Sequence, residues 1–219
     1  MEKNKVISKL CCLETAFYIV FLTILILRYK KGLGNRTFAL LIFLSFLGCA
    51  VSLALRDYLK SLLRNAGFDV AGVHDKKSLE KELLKLQNAD DTLNIGVMMF
   101  DLNNLKYFND THGHATGDYY IIVCSEIIQD IFGMYGKVYR IGGDEFCAVT
   151  EGVTEEEFME LRRGMNDRIE ALNGRFFENK MSVASGYAAY DKKSDHDIHD
   201  TIKRADQKMY ECKAAMKGR

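Results

Sequence analysis

Two consecutive glycines, Gly142-Gly143, separate two short runs of strand-forming residues, 137–141 and 145–150. Glycine enters turn conformations at no steric cost, so this arrangement predicts a β-hairpin with a two-residue turn. The chain contains no proline. Every turn must therefore come from Gly, Asn and Asp, which makes this glycine pair a strong local constraint on the fold.

The residues around the hairpin show a regular order of short apolar runs and amphipathic segments. Spacing of three to four between apolar residues indicates helices, and short runs of apolar or small and aromatic residues indicate strands. Helices are predicted at 75–87, 118–132, 155–172 and 199–217, and further strands at 94–100 and 181–190. This order predicts an α+β sandwich with a mostly antiparallel sheet and helices on one or both faces.

The first third of the chain has a different character. Residues 37–55 carry no charge over 19 positions, which spans roughly 28 Å as a helix, close to the hydrocarbon thickness of a bilayer. Residues 15–27 are also uncharged, and the segment reaches full length at 10–27 by including Glu14. We predict a hydrophobic helical hairpin of segments 10–27 and 37–55. Two buried helices of a soluble domain, or one span with one interfacial helix, are the alternatives.

Charge divides the chain at the same place. Residues 1–68 hold 10 Lys/Arg against 3 Asp/Glu, a net of +7, and the remaining 20 against 27 give −7. We therefore predict a membrane anchor with a short stalk at 1–67 and an acidic domain at 68–219. An acidic domain lacks the basic surface that nucleic-acid binding needs. The six cysteines have neither zinc-ligand spacing nor a disulfide pattern and are interpreted as reduced thiols.

Three carboxylates occupy the ends of predicted strands. Asp101 closes the strand at 94–100, and Asp144 and Glu145 follow the glycines. At ~4 Å and an effective dielectric constant near 20, each like-charged pair costs about 4 kcal/mol, so a cluster needs protonation or a cation. Oxygen ligands select Mg²⁺, Mn²⁺ or Ca²⁺. Three separate, solvated acids at strand ends fit the spacing equally well.

Features beside these acids suit phosphate binding. Gly142 and Gly143 carry no Cβ, so a phosphate or a ribose can approach the backbone, although a plain hairpin turn has the same sequence. The loop after Asp101 offers N–H groups at a predicted helix start, a natural anion site. Lys106 lies in that segment and can neutralise phosphate charge; a solvated surface lysine is the alternative.

Three sequence blocks resemble the diguanylate cyclase (GGDEF) family in order and spacing. They are Arg140-Ile-Gly-Gly-Asp-Glu-Phe146, the segment from Phe100 to Asp118 with its Asn-Asp-x-x-Gly-His-x-x-Gly-Asp pattern, and Ala205-Asp206-x-x-Met209-Tyr210-x-x-Lys213. The resemblance covers nearly all of residues 70–217. It implies a ferredoxin-like βααββαβ palm-type domain, in agreement with the predicted element order.

The resemblance also implies roles for individual residues. Asp101, Asp144 and the Leu102 carbonyl match the ligands of Mg²⁺, with Mn²⁺ as the alternative ion, and Glu145 matches an acid that binds metal or helps to deprotonate the attacking 3′-hydroxyl. Asn109 and Asp118 match the residues that read guanine, although Asp118 also suits a helix N-cap. The phosphate contacts correspond to Lys106, Lys213 and Lys217.

The implied activity is the condensation of two GTP molecules into cyclic di-GMP, a bacterial second messenger, and pyrophosphate. Because each domain holds one GTP, a homodimer is required during turnover. A catalytically weak domain that binds GTP as a regulatory signal, and a cyclase for another nucleotide, are the alternatives.

GTP chemistry requires the domain to face the cytoplasm from a bacterial cytoplasmic membrane. The connector at 28–36 carries four positive charges, which by the positive-inside rule favours the opposite orientation. Charge alone therefore leaves the number and orientation of spans open.

Two departures from the family pattern stand out. The N-terminal block, residues 68–77, keeps only Gly72 and the basic pair of the usual motif, which places the fold or the substrate fit at that edge in question. The Arg-x-x-Asp motif of the family's inhibitory product site is absent, because Gly133 and Gly136 hold its positions. We expect no product inhibition through that site.

Overall fold

Alternating side chains make the central strand of the domain apolar on both faces, so helices must cover both sides of the sheet. A computed structural model of the chain describes residues 71–87, 94–176 and 181–217 and, before them, scattered positions between 21 and 69; the side chains of 174–176 and 217 are not described. The chain divides into two compact units, Met1–Ala66 and Gly67–Arg219.

In the first unit the described residues up to position 62 are helical, including a continuous stretch at 50–55. Within the part of the chain that the structure describes, no helix combines the length and apolar composition that a membrane span requires. The predicted hairpin of 10–27 and 37–55 lies for the most part outside the described residues.

The second unit has five strands and five helices among its described residues. In chain order they are β1 (His74–Asp75), α1 (Lys76–Gln87), β2 (Ile95–Leu102), α2 (Leu105–His112), α3 (His114–Phe132), β3 (Gly136–Arg140), β4 (Glu145–Glu151), α4 (Glu155–Phe176), β5 (Val183–Ala189) and α5 (Ile198–Lys217). From β2 to β5 this is the predicted βααββαβ order, and the α+β class is confirmed.

The strands form one mixed sheet in the order β1-β3-β4-β2-β5. All neighbours are antiparallel except β1 and β3, which run parallel at the edge. β1 was not predicted, because two residues carry no detectable periodicity. The sheet places β2 between β4 and β5, so the end of β2 lies beside the loop that connects β3 to β4.

Both faces of the sheet are packed. Met98, Phe100 and Leu102 of β2 join the core formed with α2, α3 and α4. Val97 and Met99 join a second core with Leu79 and Leu83 of α1 and apolar residues of α5. The domain therefore has three layers, with helices on both faces.

Two element boundaries differ from the prediction in ways that matter for the site. α3 begins at His114 rather than at residue 118, directly after Gly113, whose positive φ of +83° favours glycine. Asp118 thus lies inside α3, and the alternative that it caps the helix is wrong. α2, a separate short helix before it, positions Asn109 one turn from the end of that helix.

Candidate active site

The register of two strands brings the predicted acids together. β2 and β4 pair antiparallel with Asp101 directly opposite Glu145 and Phe100 opposite Phe146. Directly opposed residues share one face of a sheet, with Cβ atoms about 5 Å apart. Asp101 and Glu145 are two residues from Met99 and Cys147 on their strands and share a face with them. Met99 and Cys147 belong to the core on the α1 and α5 side. Both acids therefore project towards that helical layer.

Asp144 is held beside them by main-chain hydrogen bonds. The Leu102 N–H donates to the Asp144 carbonyl at 2.9 Å, and the Ile141 N–H donates to the Glu145 carbonyl at 3.0 Å. The connection between β3 and β4 spans residues 141–144, so the predicted two-residue turn is wrong. Closing the loop at Ile141 and Glu145 adds Asp144 to the turn and leaves it next to the end of β2.

The two glycines have different uses in this loop. Neither has a positive φ among the described residues, so left-handed geometry is not what they supply. A Cβ on Gly142 would lie 2.5 Å from Glu145 Oε2, whereas one on Gly143 would meet nothing within 4 Å. Gly142 makes room for the Glu145 carboxylate, and Gly143 leaves open backbone at the surface.

Arg140 fixes the same loop from the other side. Its Nη2 donates to the Gly143 carbonyl at 2.7 Å and its Nη1 donates to Asp69 Oδ1 at 2.9 Å. Asp69 lies in the N-terminal block that departs from the family pattern. Arg140 thus links Asp69 to the glycine loop, a contact that the sequence does not reveal because 71 positions separate Asp69 from Arg140.

Helix α5 supplies the remaining charged groups. A Cβ on Gly186 of β5 would lie 2.2 Å from the Ala205 carbonyl oxygen, so glycine allows α5 to approach the sheet closely. Lys213 of α5 then reaches the end of β2, where its Nζ lies 2.6 Å from Asp101 Oδ1. Asp206 also belongs to this cluster, because its charge acts on Glu145. Asp206 belongs to the motif at residues 205–213, but the motif by itself predicts no role for this carboxylate.

The concentration of acids raises the pKa of Glu145 above its usual value. Burial is the largest cause, followed by the negative charges of Asp144, Asp101 and Asp206, while Lys213 acts in the opposite direction. A carboxylate whose pKa is raised holds a proton more strongly and is a better proton acceptor than a free glutamate.

The loop after Asp101 is rigidly held. The Tyr120 hydroxyl lies 3.0 Å from the Asn103 carbonyl oxygen and 2.8 Å from that of Ser182, and it accepts the Ser182 N–H at 2.9 Å. Asn104 is the described non-glycine residue with positive φ, at 62°. Strained backbone of this kind persists where the surroundings enforce it, often beside a ligand site.

A cleft of about 350 Å³ opens at this loop. Its lining combines the backbone before and at the start of α2 with two lysines, Lys106 and Lys213, and with Asp144. Exposed N–H groups and ammonium groups at one helix start favour an anion. The sequence prediction placed Lys106 and Lys213 at phosphate, and the structure brings both to this cleft.

Asn109 and Asp118 also lie close together. A Cβ on Gly117 would fall 1.9 Å from Asn109 Oδ1, so the Asn109 side chain rests directly on that glycine. Asp118 is the next residue and is exposed. Asn109 of α2 therefore lies against the residue that precedes Asp118 in α3, and the role of the two residues in reading guanine stays a prediction. The side chain of Lys217, the last residue of α5, lies outside the described part of the chain.

The acids suit a hard divalent cation that keeps part of its water. Within the described residues, no three His, Cys, Asp or Glu side chains converge into a ready-made metal cage. Mg²⁺ does not need one, because it is bound through one or two carboxylates and substrate phosphates. Asp101 Oδ1 is buried, and a positive group, the Lys213 ammonium, already lies 2.6 Å from it. An oxygen so placed fits a metal ligand.

Comparison with known proteins agrees with this geometry. The sequence family described as "Diguanylate cyclase, GGDEF domain" matches residues 69–219. The chain is 31% identical over 160 residues to diguanylate cyclase DgcN of Escherichia coli (strain K12), which covers 69% of this chain and 38% of that protein. It is 23% identical over 163 residues to diguanylate cyclase VdcA of Vibrio cholerae, covering 73% of this chain and 48% of the relative. The chain thus spans less than half the length of these relatives.

Solved structures show the same fold. The coiled coil and GGDEF domain of DgcB from Caulobacter crescentus, in complex with c-di-GMP, superposes with a TM-score of 0.61 at 22% identity, covering 77% of this chain and 91% of that one. The active GGEEF domain of a diguanylate cyclase from Vibrio cholerae gives a TM-score of 0.54 at 25% identity, covering 62% of this chain and 90% of that one.

Proposed function

The chain belongs to the GGDEF-domain family of diguanylate cyclases, and from this membership and the site geometry we propose that it condenses two GTP molecules into cyclic di-GMP and pyrophosphate. The observation that carries the proposal is the register of β2 and β4. It sets Asp101 opposite Glu145, with Asp144 next to them in the connecting loop. This acidic end of the sheet adjoins a cleft lined by Lys106 and Lys213.

Each group of residues has a distinct task. Asp101, Asp144 and the Leu102 carbonyl would hold Mg²⁺, or Mn²⁺ in its place. When bound, the cation supplies charge that polarises the α-phosphate and favours in-line attack by a 3′-hydroxyl. Glu145, whose pKa is raised, accepts the proton of that hydroxyl or adds a carboxylate to the cation site.

The nucleotide is held at both of its ends. Asp118 accepts the N1–H and the N2–H₂ of guanine together, a donor pattern that adenine lacks, and Asn109 lies beside it over Gly117. Lys106 and Lys213 neutralise phosphates in the cleft, with Lys217 as a further contact near the end of α5. The open backbone at Gly143 leaves space for a phosphate or a ribose.

One domain provides one nucleotide site, so the reaction needs two domains facing each other as a homodimer. The inhibitory Arg-x-x-Asp motif is absent, and Gly133 and Gly136 hold its positions. We therefore propose that product does not inhibit through that site.

The turnover of GTP by the purified full chain tests the proposal. With Mg²⁺ or Mn²⁺, wild type releases pyrophosphate and forms cyclic di-GMP, and Asp144→Ala lowers the rate by about 100-fold or more, as expected for loss of a group that stabilises the transition state. Glu160→Ala, which removes an exposed acid of α4, is the matched control and keeps the wild-type rate.

Two other results would decide against the proposal. GTP binding without any product would identify the alternative, a regulatory GTP-binding module. A rate for Asp144→Ala equal to that of Glu160→Ala would remove the acidic cluster from the chemistry. Incubation with ATP in place of GTP separates a guanine-specific cyclase from one for another nucleotide.

We also propose that residues 1–67 anchor the protein in the bacterial cytoplasmic membrane with the enzyme domain facing the cytoplasm. The uncharged run at 37–55 supports an anchor. Several large apolar side chains at its described positions are exposed, namely Leu40, Phe43, Leu44 and Leu47. Exposed apolar side chains of this kind favour contact with a lipid bilayer or another apolar surface. The expected result is co-sedimentation of the full chain with membranes and its release by detergent but not by alkaline carbonate.

A further inference from the structure

Lys213 and Asp101 form an ion pair that is well shielded from water. Lys213 Nζ lies 2.6 Å from Asp101 Oδ1, and the two side chains are only 26% and 8% exposed. Screening by solvent is weak for a pair this buried, so its attraction exceeds that of the exposed ion pairs on the surface. The pair joins α5 to the end of β2, at the centre of the acidic cluster.

The same Asp101 carboxylate is a proposed ligand of the divalent cation. An ammonium group in contact with Oδ1 and a divalent cation on that oxygen repel each other, so both cannot occupy it at full strength. Oδ1 is buried, and the Lys213 ammonium is the group that contacts it in the described part of the chain. Lys213 is therefore the positive group at this oxygen before a cation binds, and cation binding must displace it.

The Lys213 ammonium can also occupy a second position, in the neighbouring cleft. It also lines the cleft of about 350 Å³ together with Lys106 and the backbone at the start of α2, where the triphosphate is proposed to lie. A lysine has a flexible four-carbon stem, so its ammonium can move between the carboxylate and the cleft without movement of α5. Asp144 of the β3–β4 loop lines the same cleft as Lys213. Lys213 and Asp206, both of α5, act together with Asp144 on the charge of Glu145.

We propose that Lys213 is a countercharge that occupies Asp101 in the empty enzyme and transfers to the triphosphate when the cation binds, so that cation and nucleotide bind cooperatively. The inference rests on the proposed function, because it assigns the cleft to phosphate. When the cation binds without nucleotide, the Lys213–Asp101 ion pair is broken and its attraction is lost. With nucleotide present, the displaced ammonium gains a new partner, and by linkage each ligand then strengthens the other.

Manganese binding to the nucleotide-free full chain, followed by electron paramagnetic resonance, measures this competition without turnover. Lys213→Met should bind Mn²⁺ at least about tenfold more tightly than wild type, which is within the usual range of coupling effects. Lys106→Met is the matched control. It removes a lysine from the same cleft but leaves the Asp101 pair in place, and its affinity for Mn²⁺ should change by less than about threefold.

A second titration measures the cooperativity. Adding a non-hydrolysable GTP analogue should raise the Mn²⁺ affinity of wild type and of Lys106→Met by a larger factor than that of Lys213→Met. Lys213→Gln, which removes the charge but keeps a hydrogen-bond donor, should behave as Lys213→Met does and covers the case in which methionine impairs folding.

The results that would overturn the inference are distinct from those that would overturn the function. The countercharge role would be rejected if wild type and Lys213→Met bound Mn²⁺ with equal affinity. It would also be rejected if the GTP analogue raised the Mn²⁺ affinity of the Lys213 and Lys106 variants by the same factor. Either result would hold even if wild type forms cyclic di-GMP. If Lys213 competes with Mn²⁺ and the cation and nucleotide bind cooperatively, but no cyclic product forms, the role of Lys213 is kept and the cyclase proposal is rejected. Failure of all the variants and wild type to bind Mn²⁺ would reject both.

Discussion

Glu145 stands opposite Asp101 across two antiparallel strands, a position where like charges normally weaken a sheet. The cluster keeps this arrangement although burial and the charges of Asp144, Asp101 and Asp206 raise the pKa of Glu145. Gly142 supports it by leaving room for the carboxylate. Because the fold holds these carboxylates together despite their repulsion, the end of β2 and β4 is a site that favours a positively charged ligand.

Replacing Glu145 by Gln should therefore stabilise the domain while it impairs turnover. Removing one carboxylate relieves the repulsion, and because Glu145 is only partly shielded from solvent the gain in the free energy of unfolding at pH 7 should be about 0.5 kcal/mol. A raised folded pKa means that the carboxylate costs stability above that pKa. The advantage of Glu145→Gln should thus disappear as pH falls through the raised pKa of wild type, as measured by urea unfolding.

Glu151→Gln provides the comparison for this prediction. Glu151 is exposed at the opposite end of β4, and its cross-strand partner in β2 is apolar Ile95 rather than an acid. It should show neither the gain in stability nor its dependence on pH. Equal stabilisation of the two variants would mean that charge crowding at the acidic end of the sheet is not the cause.

At the scale of elements, α5 is tied to β5 by a buried carboxylate far from the acidic cluster. Asp195, whose side chain is 1% exposed, accepts hydrogen bonds from Arg204 Nε at 3.0 Å, from the Asp191 N–H at 2.9 Å and from Thr201 Oγ1 at 2.8 Å. Arg204 also donates to the Ala189 carbonyl at the end of β5. These bonds fix the start of the helix that positions Asp206 and Lys213.

Asp195→Asn should lower the free energy of unfolding by about 2 kcal/mol at neutral pH, the usual cost of losing hydrogen bonds to a charged group. Burial alone would raise the pKa of Asp195, but the hydrogen bonds from Arg204, the Asp191 N–H and Thr201 lower it from 3.8 to about 2. A lowered folded pKa contributes stability above the unfolded pKa. The difference between wild type and variant should therefore shrink as pH falls from about 4 to about 2.

Urea unfolding across this pH range measures the effect, and Asp130→Asn is the control. Asp130 forms an exposed ion pair with Arg168 at 3.6 Å, so its loss should change stability little. If Asp195→Asn were as stable as Asp130→Asn at neutral pH, the buried carboxylate would not be what holds α5 in place.

The elements and the acidic end of the sheet could be predicted from sequence because their signals are local. Strand and helix periodicities identified β2 to β5 and four of the helices, and the strand ends marked Asp101 and Glu145. β1 was missed because two residues carry no pattern. The contacts Asp69–Arg140 and Asn109–Gly117, and the place of Asp206, were missed because they depend on packing between distant segments. Local sequence contains no information on such distances.

At the scale of the whole molecule, residues 67–219 hold two cores of their own, one on each face of the sheet. We expect this unit to fold without residues 1–66 and to unfold in one cooperative transition. The proposed chemistry would still need two copies, since one nucleotide site is proposed for each domain. If residues 1–66 assemble copies at a membrane, they raise the effective concentration of one domain near another.

Removing residues 1–66 should therefore make the specific activity depend on enzyme concentration. Over about a hundredfold range of concentration, the rate per domain of the isolated unit should rise steeply, because encounters limit it, whereas the full chain in detergent or vesicles should change much less. Initial rates of pyrophosphate release measure both. The same concentration dependence for the two proteins would show that residues 1–66 do not bring copies together. A constant rate per domain in the isolated unit, at concentrations where it sediments as a monomer, would show that one domain completes the reaction alone.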